Sequence, residues 1–464
     1  MAKKKILLLS DDLRMSSGVG TMSKEIVYGT VHKYDWVQVG GAIKHPEEGN
    51  VANISDEVRK ETDVDDANVI VYPVSGYGNE DIIRELLNRE EPDAILIYTD
   101  PRFWVWLFQI EHELRQQLPI FFYTIWDDLP YPMYNQSFYE SCDLKMAISK
   151  QTYNIVHNVQ VKHPPKEHEV TYVPHGVDEN KFYKIDEKHR DWKDFLDFKD
   201  KILGGFDPRF TIFYNNRNIR RKMPGDLILA YKTFCDMLPL EDANKCMFLM
   251  HTQPVDENGT DLPAVVKAIC PEYKVVFSDK KIPPKHLNYL YNLSDICVNI
   301  ASNEGFGLGT TEALMTGTPI IVNVTGGLQD QCGFKLNGQH ITHEDYREIH
   351  SLHDNKKWEN NKDLTWGSWC KPVWPSSRAL VGSIPTPYIF DDRCRWDDVA
   401  DRFKEWYDTP SEERKRVGEV GRQWMKREEI GMSAKHMCKR FIKDMDTAFE
   451  KWTPRKRFCS ILEQ

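Results

Sequence analysis

Residues 302–319 read Ser302-Asn303-Glu304-Gly305-Phe306-Gly307-Leu308-Gly309-Thr310-Thr311-Glu312-Ala313-Leu314-Met315-Thr316-Gly317-Thr318-Pro319. A short apolar run, Ile296–Asn299, precedes this stretch. A helical pattern spans Thr310–Thr316, and a second apolar run covers Pro319–Val322. Strand, glycine-rich turn, helix and strand in that order form the repeating unit of a parallel sheet covered on both faces. Gly305, Gly307 and Gly309 let the backbone approach a ligand closely, and the helix start aims N–H groups at an anion. Glu304 lies in the turn and Glu312 in the helix, eight residues on. Carboxylates placed there suit sugar or ribose hydroxyls, which they bind as acceptors.

The same alternation extends outward in both directions. Towards the N-terminus the apolar runs Lys5–Ser10, Val69–Val74, Ala94–Tyr98, Ile120–Thr124 and Leu144–Ile148 are strand candidates, separated by helical patterns such as Thr21–His32, Asp81–Asn88 and Lys150–Val156. The pattern pauses over 177–208, a stretch expected to act as linker. It resumes at Thr211–Tyr214, Met247–Met250 and Val275–Phe277, with helices expected at Asp226–Met237 and Lys285–Leu293. The alternation fails between Cys332 and Pro387, a polar segment holding Trp358, Trp366, Trp369 and Trp374. Four tryptophans argue against disorder there, so the segment reads as a functional or packed insertion. The expected domains are 1–200, an N-terminal Rossmann-like acceptor-side domain with its linker, and 201–430, a Rossmann-like donor domain carrying the insertion 332–387. A final segment, 431–464, is expected to return as a helix to the first domain.

Bulk properties narrow the class. The chain has 464 residues, 41% hydrophobic and 28% charged, as in ordinary globular proteins. A net charge of −10 argues against a protein that is basic all over, though not against one basic face. The ten cysteines include no Cys-x-x-Cys pair and mostly sit beside apolar residues, which points to buried free thiols in a reducing compartment. The apolar run after Lys3-Lys4-Lys5 is too short for a signal sequence, and no stretch approaches the length of a membrane span. The expected location is the cytoplasm.

The 302–319 string resembles the Glu-x7-Glu motif of retaining glycosyltransferases with the GT-B fold, especially glycosyltransferase family 4. The match includes the Phe-Gly after the first Glu, the Glu-Ala, and the Gly-Thr-Pro before the next strand. The resemblance implies two Rossmann-like, doubly wound parallel-sheet domains facing each other across a cleft, and an α/β fold throughout. It implies donor contacts from Gly305, Phe306, Gly307, Leu308 and Glu312, with Glu304 at the sugar. The family also has an Arg and, five residues on, a Lys after the first strand of the second domain. Arg217 and Lys222 stand at that spacing and would neutralise the leaving diphosphate. The turn Ser17-Gly18-Val19-Gly20 matches the family's Gly-rich turn after its first strand and would turn N–H groups of Gly18 and Gly20 towards phosphates or acceptor. Val173-Pro174-His175-Gly176-Val177-Asp178 is similar to the family's Pro-Asn-Gly-Val-Asp segment at the domain junction.

Three departures stand out. The family's His after the strand Ile120–Thr124 is Trp126 here, leaving Asp127 as the nearest substitute and Asp100 as a weaker one. The glycines flanking the Arg and the Lys are Asn216 and Met223. The segment 332–387 is longer than the family needs, and its Trp366-to-Tyr388 portion is similar to glycosyltransferases of tailed bacteriophages.

The implied reaction is transfer, with retained configuration, from a UDP- or GDP-type nucleotide sugar to a hydroxyl. The diphosphate itself can accept the acceptor's proton, so position and charge do the catalysis. No cofactor and no metal are expected; the acidic pairs Asp11-Asp12, Asp127-Asp128 and Asp391-Asp392 are of a kind common on surfaces. Two acceptors compete. One is a glycan or lipid-linked hydroxyl. The other is 5-hydroxymethylcytosine in double-stranded phage DNA, reached by base flipping and stacked on the insertion's tryptophans. Basic clusters at Lys3–Lys5, Arg217–Lys222, Lys280–Lys285 and Arg455–Arg457 favour the second, and the net charge opposes it. A nucleotide-sugar epimerase and a non-catalytic sugar-nucleotide-binding protein stay open as alternatives. A dehydrogenase is disfavoured because no Gly-x-Gly-x-x-Gly follows the first strand.

Overall fold

The computed structural model describes residues 3–349 and 355–456. The chain folds as two units. One holds the residues up to Gly176, those from Ala434 onward and Ser383–Pro387; the other holds Val177–Gly382 and Tyr388–Ser433.

The first unit is built on an eight-stranded sheet. Its strands are β1 (Lys4–Asp11), β2 (Tyr34–Ala42), β3 (Ala52–Asn53), β4 (Val69–Ser75), β5 (Ala94–Tyr98), β6 (Ile120–Thr124), β7 (Leu144–Ala147) and β8 (Val170–Tyr172), in the order β3-β4-β2-β1-β5-β6-β7-β8. All neighbours are parallel except β3 with β4. Ile6 to Leu9 and Ala94 to Tyr98 are buried on both sheet faces, which is why these strands read as continuous apolar runs. The strand β2 escaped the sequence reading because polar Gln38 and the pair Gly40-Gly41 interrupt its pattern. Gln38 is fully buried, and its amide donates to Ser10 Oγ and to the Asp11 carbonyl, each at 2.8 Å. A Cβ on Gly40 would lie 2.9 Å from Asp12 Cβ, so only glycine lets the end of β1 sit this close.

The second unit contains a six-stranded parallel sheet. It is formed by β9 (Phe210–Asn215), β10 (Cys246–His251), β11 (Val275–Ser278), β12 (Ile296–Asn299), β13 (Ile320–Asn323) and, beyond three short strands, β17 (Cys370–Val373). The order is β11-β10-β9-β12-β13-β17. The short strands β14 (Lys335–Leu336), β15 (Gln339–His340) and β16 (Leu364–Thr365) make a small antiparallel sheet. A two-stranded sheet, β18 (Ser377–Ser383) with β19 (Thr386–Arg393), follows.

The boundaries differ from the sequence expectation. The first unit ends at Gly176 and not at residue 200, because Ile185 and Phe195 pack with Tyr289 of the second unit and carry the helix Trp192–Leu203 with them. The last helix, Ala434–Lys451, belongs to the first unit. It lies so close to the helix Gly18–Thr30 that a Cβ on Gly29 would overlap Cys438 Sγ, and Tyr34 Oη donates to Asp446 at 2.8 Å.

The segment 332–387 also proves less separate than it reads, since its β17 is the edge strand of the main sheet. Trp358, Trp369 and Trp374 are only 6%, 5% and 6% exposed, against 39% for Trp366. Trp369 fills a slot between Gly333, Gly367 and Gly421, where a Cβ on any of the three would overlap its side chain. A base-stacking role for the four tryptophans is corrected accordingly: three are core residues whose faces are covered by protein. Of the basic clusters, Lys3 pairs with Asp66, Lys4 with Asp93 and Lys5 with Glu90, while Arg457 lies outside the described residues. The nine described cysteines are buried and in no disulfide; Cys459 lies outside the described residues. Among the described residues no helix is long and apolar enough to cross a membrane.

One buried charge makes a testable prediction about the first unit. Lys145 on β7 is 1% exposed, its ammonium donates to the Cys142 carbonyl at 3.1 Å, and burial pulls its pKa down to about 8. The fold prefers the neutral amine. Below about pH 8 the protein therefore carries the whole cost of the buried ammonium, and that cost fades as pH rises from about 8 towards the unfolded value near 10.4. Lys145→Met is expected to be more stable than the wild type at pH 7 by about 1–3 kcal/mol, with the gap closing by pH 10. Urea midpoints at both pH values check this; a variant less stable than the wild type at pH 7 overturns it.

Candidate active site

The glycine turn connects the end of β12 to the helix Leu308–Thr316 at the carboxyl edge of the second sheet. Gly307 precedes the helix with φ +92°, and a Cβ there would stand 2.5 Å from Leu328 Cδ2. A Cβ on Gly309 would stand 2.9 Å from the Asn215 carbonyl oxygen. Both positions therefore demand glycine, one for its backbone conformation and the other for its contact. Among the described residues no side chain caps this helix, so its first N–H groups have no capping acceptor there. Phe306 is buried; Gly305, Leu308 and Gly309 are partly exposed or line the turn. The Gly327 N–H donates to the Glu304 carbonyl at 2.8 Å, tying the turn to the loop after β13.

Lys222 lies in the short turn Arg220–Lys222 after β9. Its ammonium is in contact with the Glu304 carboxylate, and both side chains are buried. Asn299 Nδ2 approaches the same carboxylate oxygen at 3.5 Å. Burial alone would raise the Glu304 pKa, but the charges of Lys222 and Arg221 outweigh it and hold the carboxyl below the ordinary carboxylate range. Arg221 is anchored by donating to the Asn303 carbonyl at 2.6 Å. Arg217, by contrast, points to the surface and pairs with Asp256, Nε to Oδ2 at 3.0 Å. The predicted Arg–Lys pair is thus divided: Lys222 meets Glu304, and the second cation acting on that carboxylate is Arg221. Met223, where the family has glycine, keeps the left-handed backbone with φ +53°.

Glu312 is reached through a chain of hydrogen bonds. Asn215 Nδ2 donates to Tyr291 Oη at 2.7 Å, and Tyr291 Oη donates to Glu312 Oε2 at 2.6 Å. Burial pushes the Glu312 carboxyl up to about 7, with the Tyr291 hydrogen bond acting against it. Glu312 is therefore poised between its two protonation states at neutral pH.

The remaining predicted residues lie in the first unit, past the carboxyl ends of β1 and β6. Ser17 caps the helix Gly18–Thr30 by accepting from the Gly20 N–H at 2.9 Å. That N–H is spent inside the protein, which corrects the expectation that Gly20 offers it to a ligand. Gly20 is required for packing instead: a Cβ would lie 2.7 Å from the Met15 carbonyl oxygen. Gly18 stands at the first helical position. Asp127 follows Trp126 on the loop after β6 and is partly exposed. Trp126 is buried, edge-on to Tyr134 with the Arg102 guanidinium 5.5 Å from its ring centre. Asp100 is committed to Arg102, accepting from its backbone N–H at 2.9 Å and its Nε at 2.8 Å. His175 of the junction motif is buried, with Tyr123 Oη 2.7 Å from its Nδ1. Asp11 accepts from Ser17 and Tyr77, Asp12 pairs with Arg14 and His45, and Asp392 pairs with Arg378. Among the described residues no three His, Cys, Asp or Glu side chains converge as a metal site.

Sequence reasoning missed Asn215, Tyr291, Asn299 and Arg221. Asn215 and Asn299 each close an apolar strand run at its carboxyl end, a position that invites suspicion in a parallel sheet. Nothing local marks Tyr291, and Arg221 was hidden among neighbouring cations.

Residues 272–358 match the family model described as glycosyl transferases group 1. Mannosylfructose-phosphate synthase of Agrobacterium fabrum is 25% identical over 198 residues, 41% of this chain. The chain spans about two fifths of that relative, 39% of its length. Among solved structures, Anabaena HepE in complex with UDP and glucose superposes with a TM-score of 0.63 at 12% identity, covering 96% of this chain and 100% of that one. Sucrose-phosphate synthase from Thermosynechococcus elongatus gives 0.62 at 13% identity, with 97% and 100% covered. The fold is GT-B, built from two Rossmann-like α/β units.

Proposed function

We propose that this protein is a retaining glycosyltransferase that moves a sugar from a UDP- or GDP-type nucleotide donor to a hydroxyl acceptor. The contact between Lys222 and Glu304 carries the reading. In a nucleotide sugar the anomeric carbon and the diphosphate share one oxygen. A cation meant for the diphosphate and a carboxylate meant for the sugar must then be neighbours, as these two are. The start of the helix Leu308–Thr316 supplies N–H groups for phosphate oxygens, and Glu312 supplies a carboxylate for the ribose. Arg217 joins the diphosphate by leaving Asp256. The match to glycosyl transferases group 1 and the UDP-containing complex of the structural neighbour support the donor class.

In the transition state, negative charge grows on the departing diphosphate. Lys222 and Arg221 are fixed beside it and need little reorganisation. The diphosphate then takes the acceptor's proton on the face it leaves. With this charge supplied by side chains, the reaction needs no metal. Turnover in excess EDTA is expected to stay within about twofold of the untreated rate, the size of an ordinary assay difference and well short of the tenfold that ~1.4 kcal/mol would give. A collapse restored by Mg2+ or Mn2+ overturns this.

The test of the function is donor hydrolysis and transfer with a panel of UDP- and GDP-sugars, in parallel with hydroxymethylated DNA, plain DNA, glycan acceptors and no acceptor. Turnover of one donor establishes the class. Transfer confined to hydroxymethylated DNA identifies 5-hydroxymethylcytosine as the acceptor, with Trp366 the one tryptophan of the insertion exposed enough to meet a base. Turnover without DNA dependence assigns a glycan or lipid-linked hydroxyl. Binding of a nucleotide sugar with no turnover leaves a non-catalytic binder, and interconversion of the free nucleotide sugar an epimerase.

A further inference from the structure

A buried glutamine and a buried tryptophan, both outside the 302–319 string, hold the glycine turn from behind. Gln331 sits in the 3-10 segment Gly326–Cys332 and is fully buried. Its Nε2 donates to the Phe306 carbonyl at 2.7 Å and to the Gly307 carbonyl at 3.0 Å. Turned over, the amide would set its oxygen against those two carbonyls, so the observed orientation is the only favourable one. Thr310 and Thr311 also donate to the Gly307 carbonyl, at 3.0 Å each. The backbone of Gln331 is held from behind: Trp369 Nε1 donates to its carbonyl at 3.0 Å. Trp369 lies against Trp424, ring centres 4.7 Å apart and tilted by 31°, and is locked in its three-glycine slot.

In a trans peptide the carbonyl of one residue and the N–H of the next point in opposite directions. With the Phe306 and Gly307 carbonyls drawn inward to Gln331, the N–H groups of Gly307 and Leu308 point away from it, Gly307 being buried and Leu308 partly exposed. Two successive N–H groups aimed together make an anion-binding concavity. We infer that Gln331 is a positioning residue, held by Trp369, that aims these two N–H groups at the diphosphate of the nucleotide. The inference rests on the donor reading proposed above and adds to it which buried side chain sets the phosphate affinity.

Calorimetric titration of the full chain with UDP, GDP, uridine and guanosine tests it. Gln331→Met keeps the volume and removes the amide. For whichever nucleotide the wild type binds, this variant is expected to lose at least about tenfold in affinity, in line with ~1.4 kcal/mol for weakened hydrogen bonds to a charged group. The parent nucleoside should bind within about twofold of the wild type, because it has no phosphate to read the turn. Trp369→Phe keeps the ring in the slot without its N–H and is expected to shift the same ratio in the same direction. It also serves as the readout should Gln331→Met not fold. Equal loss for nucleotide and nucleoside, or unchanged nucleotide affinity, overturns the inference while leaving the donor reading intact. A wild type that binds neither UDP nor GDP overturns the donor reading itself.

Discussion

Lys222→Met is expected to destabilise the protein by about 3–5 kcal/mol at neutral pH, the usual cost of leaving one member of a buried ion pair alone, and to lower kcat/KM by at least about a hundredfold. Lys222 and Glu304 are both buried and in contact, so removing the ammonium strands a carboxylate that Arg221 and Asn299 satisfy only in part. The wild-type Glu304 carboxyl lies below its ordinary range. The stability it contributes is therefore present above the unfolded value near pH 4.3 and is lost as pH falls through the lower folded value. The single variant should lose this dependence, because its Glu304 takes up a proton more readily. The double variant Lys222→Met, Glu304→Gln separates the two roles. It should recover most of the stability, since no unpaired charge remains, and none of the activity. Denaturant midpoints and kcat/KM on the three proteins check this. A stable single variant would show that the pair is not buried as described, and an active one that Lys222 does not face the diphosphate.

A pH dependence of donor binding, centred near 7, is the second large effect. The Glu312 carboxyl is pushed up to about 7 by burial. Only the ionised form offers both oxygens as acceptors to ribose hydroxyls, so donor affinity should strengthen as pH rises from 6 to 8. Below the midpoint the change should approach about tenfold per unit, the limit for one required deprotonation. Glu312→Gln should bind weakly at both pH values and flatten the profile. Tyr291→Phe removes the hydrogen bond that favours ionisation and should move the midpoint upward. Stability runs in the opposite sense. A carboxyl raised from about 4.3 to about 7 contributes stability fully below the lower value and loses it as pH rises through the upper one. Glu312→Gln should thus gain on the wild type at pH 8 and not at pH 4. A donor affinity flat from pH 6 to 8 would remove Glu312 from the ribose.

Much of the fold was legible because its signals are local. Strands buried on both faces must be apolar throughout, so Ala94–Tyr98, Ile120–Thr124 and Ile296–Asn299 are bounded in the structure as their composition suggests. The glycine string announced the tight turn before the helix Leu308–Thr316, because no other residue tolerates the φ of Gly307 or the contact at Gly309. Where a strand packs through polarity and absent side chains, as β2 does through Gln38 and Gly40, periodicity conveys nothing. The helix Trp192–Leu203 looked like linker because Asp and Lys are interspersed among its apolar residues, and their partner Tyr289 lies far along the chain.

By itself, the sequence determined the two-fold α/β alternation, the glycine turn, and the presence of Lys222, Glu304 and Glu312 at telling spacings, since each depends on backbone conformation or on residues close in the chain. Only the tertiary structure decided which charges meet: Arg221 near Glu304, Arg217 with Asp256, Tyr291 on Glu312, and Gln331 beneath the turn. It also decided that three of four tryptophans are core. These outcomes come from packing between segments distant in sequence, where burial and long-range charge set a side chain's partner and protonation, and no spacing along the chain encodes either.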